Sequence, residues 1–152
     1  MKRRGFTLLE VMMVLLIEVT ALALAVQRGH GTETIVTAVV AGRVAIVWGC
    51  TRRAARTDGL GAWVSRSVPV WGAAVVTGAA LLVPLVLSAV DDDARVATTV
   101  FVVAALPAGL LVAAVATMPI RRRLDGISGD VLGAACQAAT AGALVLAACA
   151  PA

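Results

Sequence analysis

The chain has 152 residues, of which 61% are apolar, 14% charged and 3% aromatic, with a formal net charge of +4. A water-soluble domain is about half apolar and about a quarter charged, so this balance excludes an ordinary soluble globule. With two Phe and no Tyr, the chain also lacks the aromatic faces on which nucleic-acid binders stack bases, and no nucleic-acid partner is expected.

Five apolar stretches follow one another: Phe6 to Val26, Ile35 to Cys50, Val68 to Val90, Val96 to Ile120, and Val131 to Ala150. A membrane-spanning helix needs about 20 mostly apolar residues. Four stretches reach that length; the second is shorter and carries Arg43. None alternates with period two, so they read as helices rather than barrel strands. A helix also satisfies its own backbone hydrogen bonds in hydrocarbon. Pro84 and Pro107 fall inside the third and fourth stretches and are expected to loosen or kink them. Gly and Ala are dense throughout, as where helices pack backbone to backbone in lipid. The expected fold is an all-α, polytopic membrane bundle of about five transmembrane helices in the lipid bilayer.

Charge in the connections orients these spans. Lys2, Arg3 and Arg4 at the N-terminus, Arg52, Arg53, Arg56 and Arg66 after span two, and Arg121, Arg122 and Arg123 after span four make up ten of the 13 basic residues. The two opposite connections hold only Arg28 and Arg95. Lys and Arg concentrate on the cytoplasmic side of membrane proteins. The pattern therefore predicts a cytoplasmic N-terminus, an external C-terminus and a multi-pass protein of the cell (inner) membrane. Asp91, Asp92 and Asp93 read as a solvated external turn. The stretch Gln27 to Thr34 reads as a polar connection; it holds His30, the single histidine, which lacks partners for a Ser-His-Asp arrangement. Cys50, Cys136 and Cys149 show neither a CxxC spacing nor a disulfide framework and read as small packed thiols.

Both long basic connections combine arginine, acid and glycine. One runs from Thr51 to Gly61 and contains Arg52, Arg53, Arg56, Asp58 and Gly59; the other runs from Arg121 to Asp130 and contains Asp125, Gly126 and Gly129. In the plainer reading the arginines anchor loops to anionic headgroups and the glycines make turns. In the chemical reading carboxylates hold Mg²⁺, arginines grip phosphate oxygens and glycines admit a ligand close to the backbone. Asp130 abuts a span, where an unpaired charge is expensive.

The second loop carries a resemblance. Residues Asp125-Gly126-Ile127-Ser128-Gly129-Asp130-Val131-Leu132-Gly133-Ala134 resemble the C-terminal signature of cobalamin synthases, the adenosylcobinamide-GDP ribazoletransferases, with Asp125 and Ser128 departing from the usual glycine and threonine. Ala41-Gly42-Arg43 and Ala54-Ala55-Arg56-Thr57-Asp58-Gly59-Leu60-Gly61 are similar to the family's central region, with Thr57 where proline is common. The resemblance covers roughly residues 35–152. It implies a membrane transferase that joins adenosylcobinamide-GDP to α-ribazole or its phosphate and releases GMP, with Mg²⁺ as cofactor. It further implies Asp130 and Asp58 as catalytic and metal-binding residues, and Arg43, Arg56, Gly126 and Gly129 around substrate phosphates. For Arg43 two readings stand side by side: a phosphate contact, or an arginine that snorkels or pairs with Glu10 or Glu18. Arg121 to Arg123 read as membrane anchors. Family members carry an aspartate-rich motif nearer their N-terminus, whereas the acids before residue 35 here are Glu10, Glu18 and Glu33. A truncated or fused form is therefore expected.

The N-terminus carries a second resemblance. Lys2-Arg3-Arg4-Gly5-Phe6-Thr7-Leu8-Leu9-Glu10 is similar to a type IV prepilin leader, which implies cleavage between Gly5 and Phe6 and a partner-seeking carboxylate at Glu10. The expected organisation is a leader-like first span over 1–26 and a synthase-like region over 27–152. The alternative function is a non-catalytic scaffold or pilin-like protein associated with other membrane subunits.

Overall fold

The computed structural model describes residues 8–55, 60–90, 96–124 and 126–151. Six helices follow in these residues: α1 (Leu8–Gln27), α2 (Gly31–Cys50), α3 (Leu60–Val64), α4 (Val70–Val90), α5 (Val96–Leu124) and α6 (Gly129–Ala148). The five long ones coincide with the five apolar stretches. They run alternately up and down, so the connections fall at two ends. The α2–α4 and α5–α6 connections share the loop end; the α1–α2 turn and the C-terminus share the far end.

Helices α2, α5 and α6 are long and apolar enough to cross a membrane, and Met12–Gln27 and Val70–Val86 are shorter apolar helical stretches beside them. The protein is a helical membrane bundle. Its large apolar side chains point outward, with Leu16, Leu111 and Val115 all exposed, while alanines fill the interior. That inversion suits lipid, where burying a leucine between helices has little advantage over leaving it among acyl chains and close backbone packing supplies the attraction.

Helix α6 is the centre of the bundle, packing against α5, α2 and α1. The contacts with α2 and α5 depend on missing side chains. A Cβ on Gly109 of α5 would collide with the Ala139 carbonyl and press on Ala143, and one on Gly42 of α2 would collide with the Thr140 hydroxyl. Helix α1 belongs to the same core, through Ala21 and Ala25 beside Ala143, Leu144 and Ala147.

Helix α2 begins four residues before the apolar run does. Residues Gly31 to Thr34, expected in a polar connection, are its first turn, and this extension gives α2 the 20 residues a span needs. Thr34 in that turn is buried, as are His30 before it and Thr37 one turn on, whereas Thr32 is exposed. The turn before α2 is instead three residues long. It is made by Gly29 at φ +84, a left-handed conformation that favours glycine, with the Gly29 and His30 N–H groups donating to Val26 and Ala25 carbonyls.

Helices α4 and α5 run unbroken through Pro84, Pro107 and Pro119. The five-residue α3 was not legible as an apolar stretch. It is followed by Arg66, which adopts a left-handed φ of 57, and by Ser67, whose hydroxyl donates to the Val64 carbonyl.

Candidate functional site

At the loop end two connections meet that are more than 70 residues apart in sequence. Past the end of α2, the Arg53–Ala55 backbone runs parallel to Gly126–Ser128 and forms a single bridge between Ala54 and Ile127. The Ala55 N–H donates to the Ile127 carbonyl at 2.8 Å and the Ile127 N–H donates to the Arg53 carbonyl at 2.9 Å. The Ala54 N–H donates to the Ser65 hydroxyl at 3.0 Å, which ties the α3–α4 connection to the same point. Gly126 makes this possible: a Cβ there would lie 2.6 Å from the Ala55 nitrogen and 2.8 Å from the Ala54 oxygen. The close backbone approach that Gly126 permits is thus between the two loops. Gly129 differs, with nothing within 4 Å of where its Cβ would be.

Asp130 lies exposed in the first turn of α6, next to this open glycine. Ser128 caps the helix by accepting a hydrogen bond from the Val131 N–H. A carboxylate in the first turn is favoured by the helix dipole. Asp58 and Arg56 lie outside the described residues, as do Gly5, Phe6, Asp125 and Asp91 to Asp93; the Glu10 side chain does too.

Arg43 is placed elsewhere. It is exposed on the outer stripe of α2 with Ile35 and Val39, and it lies seven residues before the helix end, about 10 Å along the axis from the loops. Of the two alternative partners, Glu10 and Glu18, Glu18 accepts a hydrogen bond from the Gln137 side-chain amide at 2.6 Å. Among the described residues the arginine makes no ion pair with Glu18.

Beneath the bridge lies a cavity of about 400 Å³ between α2, α4, α5 and α6. Its walls are mostly apolar, with Leu110, Leu132 and Trp48 prominent, and Arg52, Arg121 and Ile127 stand at its loop end. The wall donors are committed within the protein. The Trp48 indole N–H donates to the Thr77 hydroxyl at 2.9 Å, and that hydroxyl donates to the Ala73 carbonyl at 2.7 Å. The Thr117 hydroxyl donates to the Ala113 carbonyl at 2.7 Å. Arg52 and Arg121 repel each other. Among the described residues neither guanidinium has a hydrogen-bond or ion-pair partner.

The charge pattern marked Arg121 as one of three anchors, but it differs from its neighbours. Ala105, Gly109, Ala113 and Thr117 recur every fourth residue along the buried face of α5, and Arg121 continues that row, whereas Arg122 and Arg123 are exposed. A four-residue spacing of small residues ending in arginine was the available signal.

With the loops joined around the Gly126-to-Asp130 segment, the decisive comparison is with family profiles. The model of the cobalamin-5-phosphate synthase family matches residues 5–148. The chain belongs to that family. Membership assigns it to cobalamin biosynthesis, and the match takes in α1 as well as the region from residue 35 onward. No solved structure matches the chain.

Proposed function

We propose that this cobalamin-5-phosphate synthase family member is a transferase of the cell membrane that joins adenosylcobinamide-GDP to α-ribazole and releases GMP, with the chemistry on the cytoplasmic loop end. The observation that carries the reading is the backbone bridge between the two loops, which holds the Asp130 turn beside the Arg52–Ala55 segment. Phosphoryl transfer needs little covalent help from a protein; it needs reactants held in line and developing charge neutralised. Joined loops provide the first.

Mg²⁺ provides the second in this reading. Among the described residues no three His, Cys, Asp or Glu side chains gather into a metal cage. Magnesium seldom asks for one, because it keeps waters and takes one or two carboxylates plus substrate phosphates. Asp130 is exposed and fits that donor set, with Asp58 of the other loop as the second carboxylate. When bound, the ion would draw negative charge from the phosphate oxygens. Gly129 leaves the start of α6 open to substrate, and Arg56 supplies a guanidinium for phosphate.

The test is incorporation of labelled α-ribazole by membranes carrying this chain, alone and with the aspartate-rich N-terminal portion of a family member supplied. Mg²⁺-dependent incorporation is expected, falling at least about a hundredfold in Asp130→Asn. No incorporation in either arrangement would contradict the transferase reading. Undiminished incorporation in Asp130→Asn would displace the metal site.

A further inference from the structure

We propose that the outer face shared by α1, α2 and α6 joins two copies of this chain, with Arg43 of each copy pairing with Glu18 of the other across a two-fold axis along the membrane normal. This interface lies about 10 Å along α2 from the proposed transferase loops and stands without them.

The first observation is that three polar groups sit at one depth and on one side of the bundle. Helices α2 and α6 run antiparallel and meet where a Cβ on Gly42 would strike Thr140 and press on Cys136. Each next residue turns by about 100° around its helix, and in an antiparallel pair those two turns lead to the same side. Arg43 follows Gly42 and Gln137 follows Cys136, so both face that side, and both are exposed. Glu18 of α1 joins them, since it accepts the Gln137 amide at 2.6 Å. The level is interior to the spans, with Arg43 seven residues before the end of α2 and Glu18 nine before the end of α1.

The second observation is what surrounds these groups. Ile35 and Val39 precede Arg43 along the outer stripe of α2, and Leu15 and Val19 flank Glu18 on α1; all four are exposed. Among the described residues the Arg43 guanidinium has no hydrogen-bond or ion-pair partner. A guanidinium among aliphatic side chains in hydrocarbon is expensive unless a counter-charge meets it.

A second copy supplies that charge at the required depth. Both copies hold their basic loop end in the same leaflet, so a rotation about the membrane normal relates them, and such a rotation leaves depth unchanged. Arg43 of one copy then stands level with Glu18 of the other. A two-fold makes the contact twice, because the same patch faces itself. An ionised carboxylate that accepts one amide keeps acceptor capacity for a guanidinium.

Charge inversion separates contact between copies from contact within one. The full chain, carrying a donor or an acceptor fluorophore on a C-terminal tag, would be reconstituted in phosphatidylcholine vesicles. Association is read as energy transfer above that of random proximity, and the unmodified chain should show it. R43E or E18R alone should weaken association at least about tenfold, because each contact then brings like charges together. Mixing R43E chains with E18R chains should restore association to within about threefold of the unmodified level, since both contacts of the mixed pair again join opposite charges. A pair confined to one chain is not repaired by mixing, because each inverted chain keeps two like charges. Circular dichroism checks that each inverted chain is helical; where one is not, R43Q and E18Q replace the inversions and should each weaken association at least about threefold. The proposal is overturned by an unmodified chain that shows no transfer above random proximity, by association indifferent to the substitutions, or by helical R43E and E18R chains that stay apart when mixed. Association is read without turnover, so loss of the transferase reading leaves this interface standing.

Discussion

The two ends of the bundle use arginine in opposite ways. At the far end, the Arg28 guanidinium donates to the Ala148 and Ala150 carbonyls at 2.7 and 2.9 Å, closing the C-terminus of α6 where helix carbonyls lack partners. His30 lies beside it, its Nε2 3.2 Å from the Ala147 carbonyl. At the loop end, Arg52 and Arg121 line a cavity, and among the described residues their guanidiniums have no hydrogen-bond or ion-pair partner. One arginine closes a helix end and the guanidiniums of two are unpaired among the described residues. A count of basic residues treats all three alike; their partners separate them.

This contrast can be broken by substitution, and the largest effect belongs to the bridge that shapes the loop end. Gly126→Val places carbon where the Ala54 and Ala55 backbone already lies. The loops must part, and α-ribazole incorporation should fall at least about a hundredfold, since misplacing reacting groups by about an ångström costs that much. Retained incorporation would show that the bridge is dispensable to the chemistry.

Next comes Arg28. Replacing it with Gln removes two hydrogen bonds from a charged donor, each worth about 1.5–3 kcal/mol, so thermal unfolding in detergent should show a loss of at least about 3 kcal/mol. Arg121→Gln should give the opposite sign, unchanged or slightly raised stability, because it removes one of two neighbouring like charges. If Arg121→Gln destabilises as much as Arg28→Gln, the distinction between the two ends fails.

The smallest effect concerns the buried polar face of α2. The Thr34 and Thr37 hydroxyls and His30 Nδ1 are enclosed and have no hydrogen-bond partner among the described residues. A buried polar group without a partner is a cost, so Thr37→Val should raise stability by about 1 kcal/mol in the same unfolding assay. A fall of similar size would reveal a bound water or another partner at that hydroxyl.

Much of this architecture was written in the apolar runs. Five stretches of lipid-compatible length became five long helices, because a continuous run of Val, Leu and Ala has few other stable conformations in a bilayer. The start of α2 was hidden since Gly31, Thr32, Glu33 and Thr34 look like a connection, and only packing against α1 and α6 makes a helical turn with a buried Thr34 intelligible. The candidate site was legible by composition and not by connection. Arginine, acid and glycine marked both loops, yet one bridge at Ala54 and Ile127 leaves no periodic trace in sequence. Gly126 was read as a glycine that admits ligand, and the structure puts the neighbouring loop against it. Arg43 stood out as a charge inside a span, but nothing local to Ala41-Gly42-Arg43 specifies that it faces outward. Arg121 was hidden by its neighbours, for three consecutive arginines look alike until the small residues every fourth position set one of them on the inner face.

The central claim is that the two loops act as one unit, and amide hydrogen exchange of the unmodified chain in lipid nanodiscs tests it most directly. The account predicts that the Ala55 and Ile127 amides, which donate across the bridge, exchange at least about a hundredfold more slowly than an unstructured chain. Exchange of both amides at the unstructured rate would mean that the loops move independently, and would contradict the site as described.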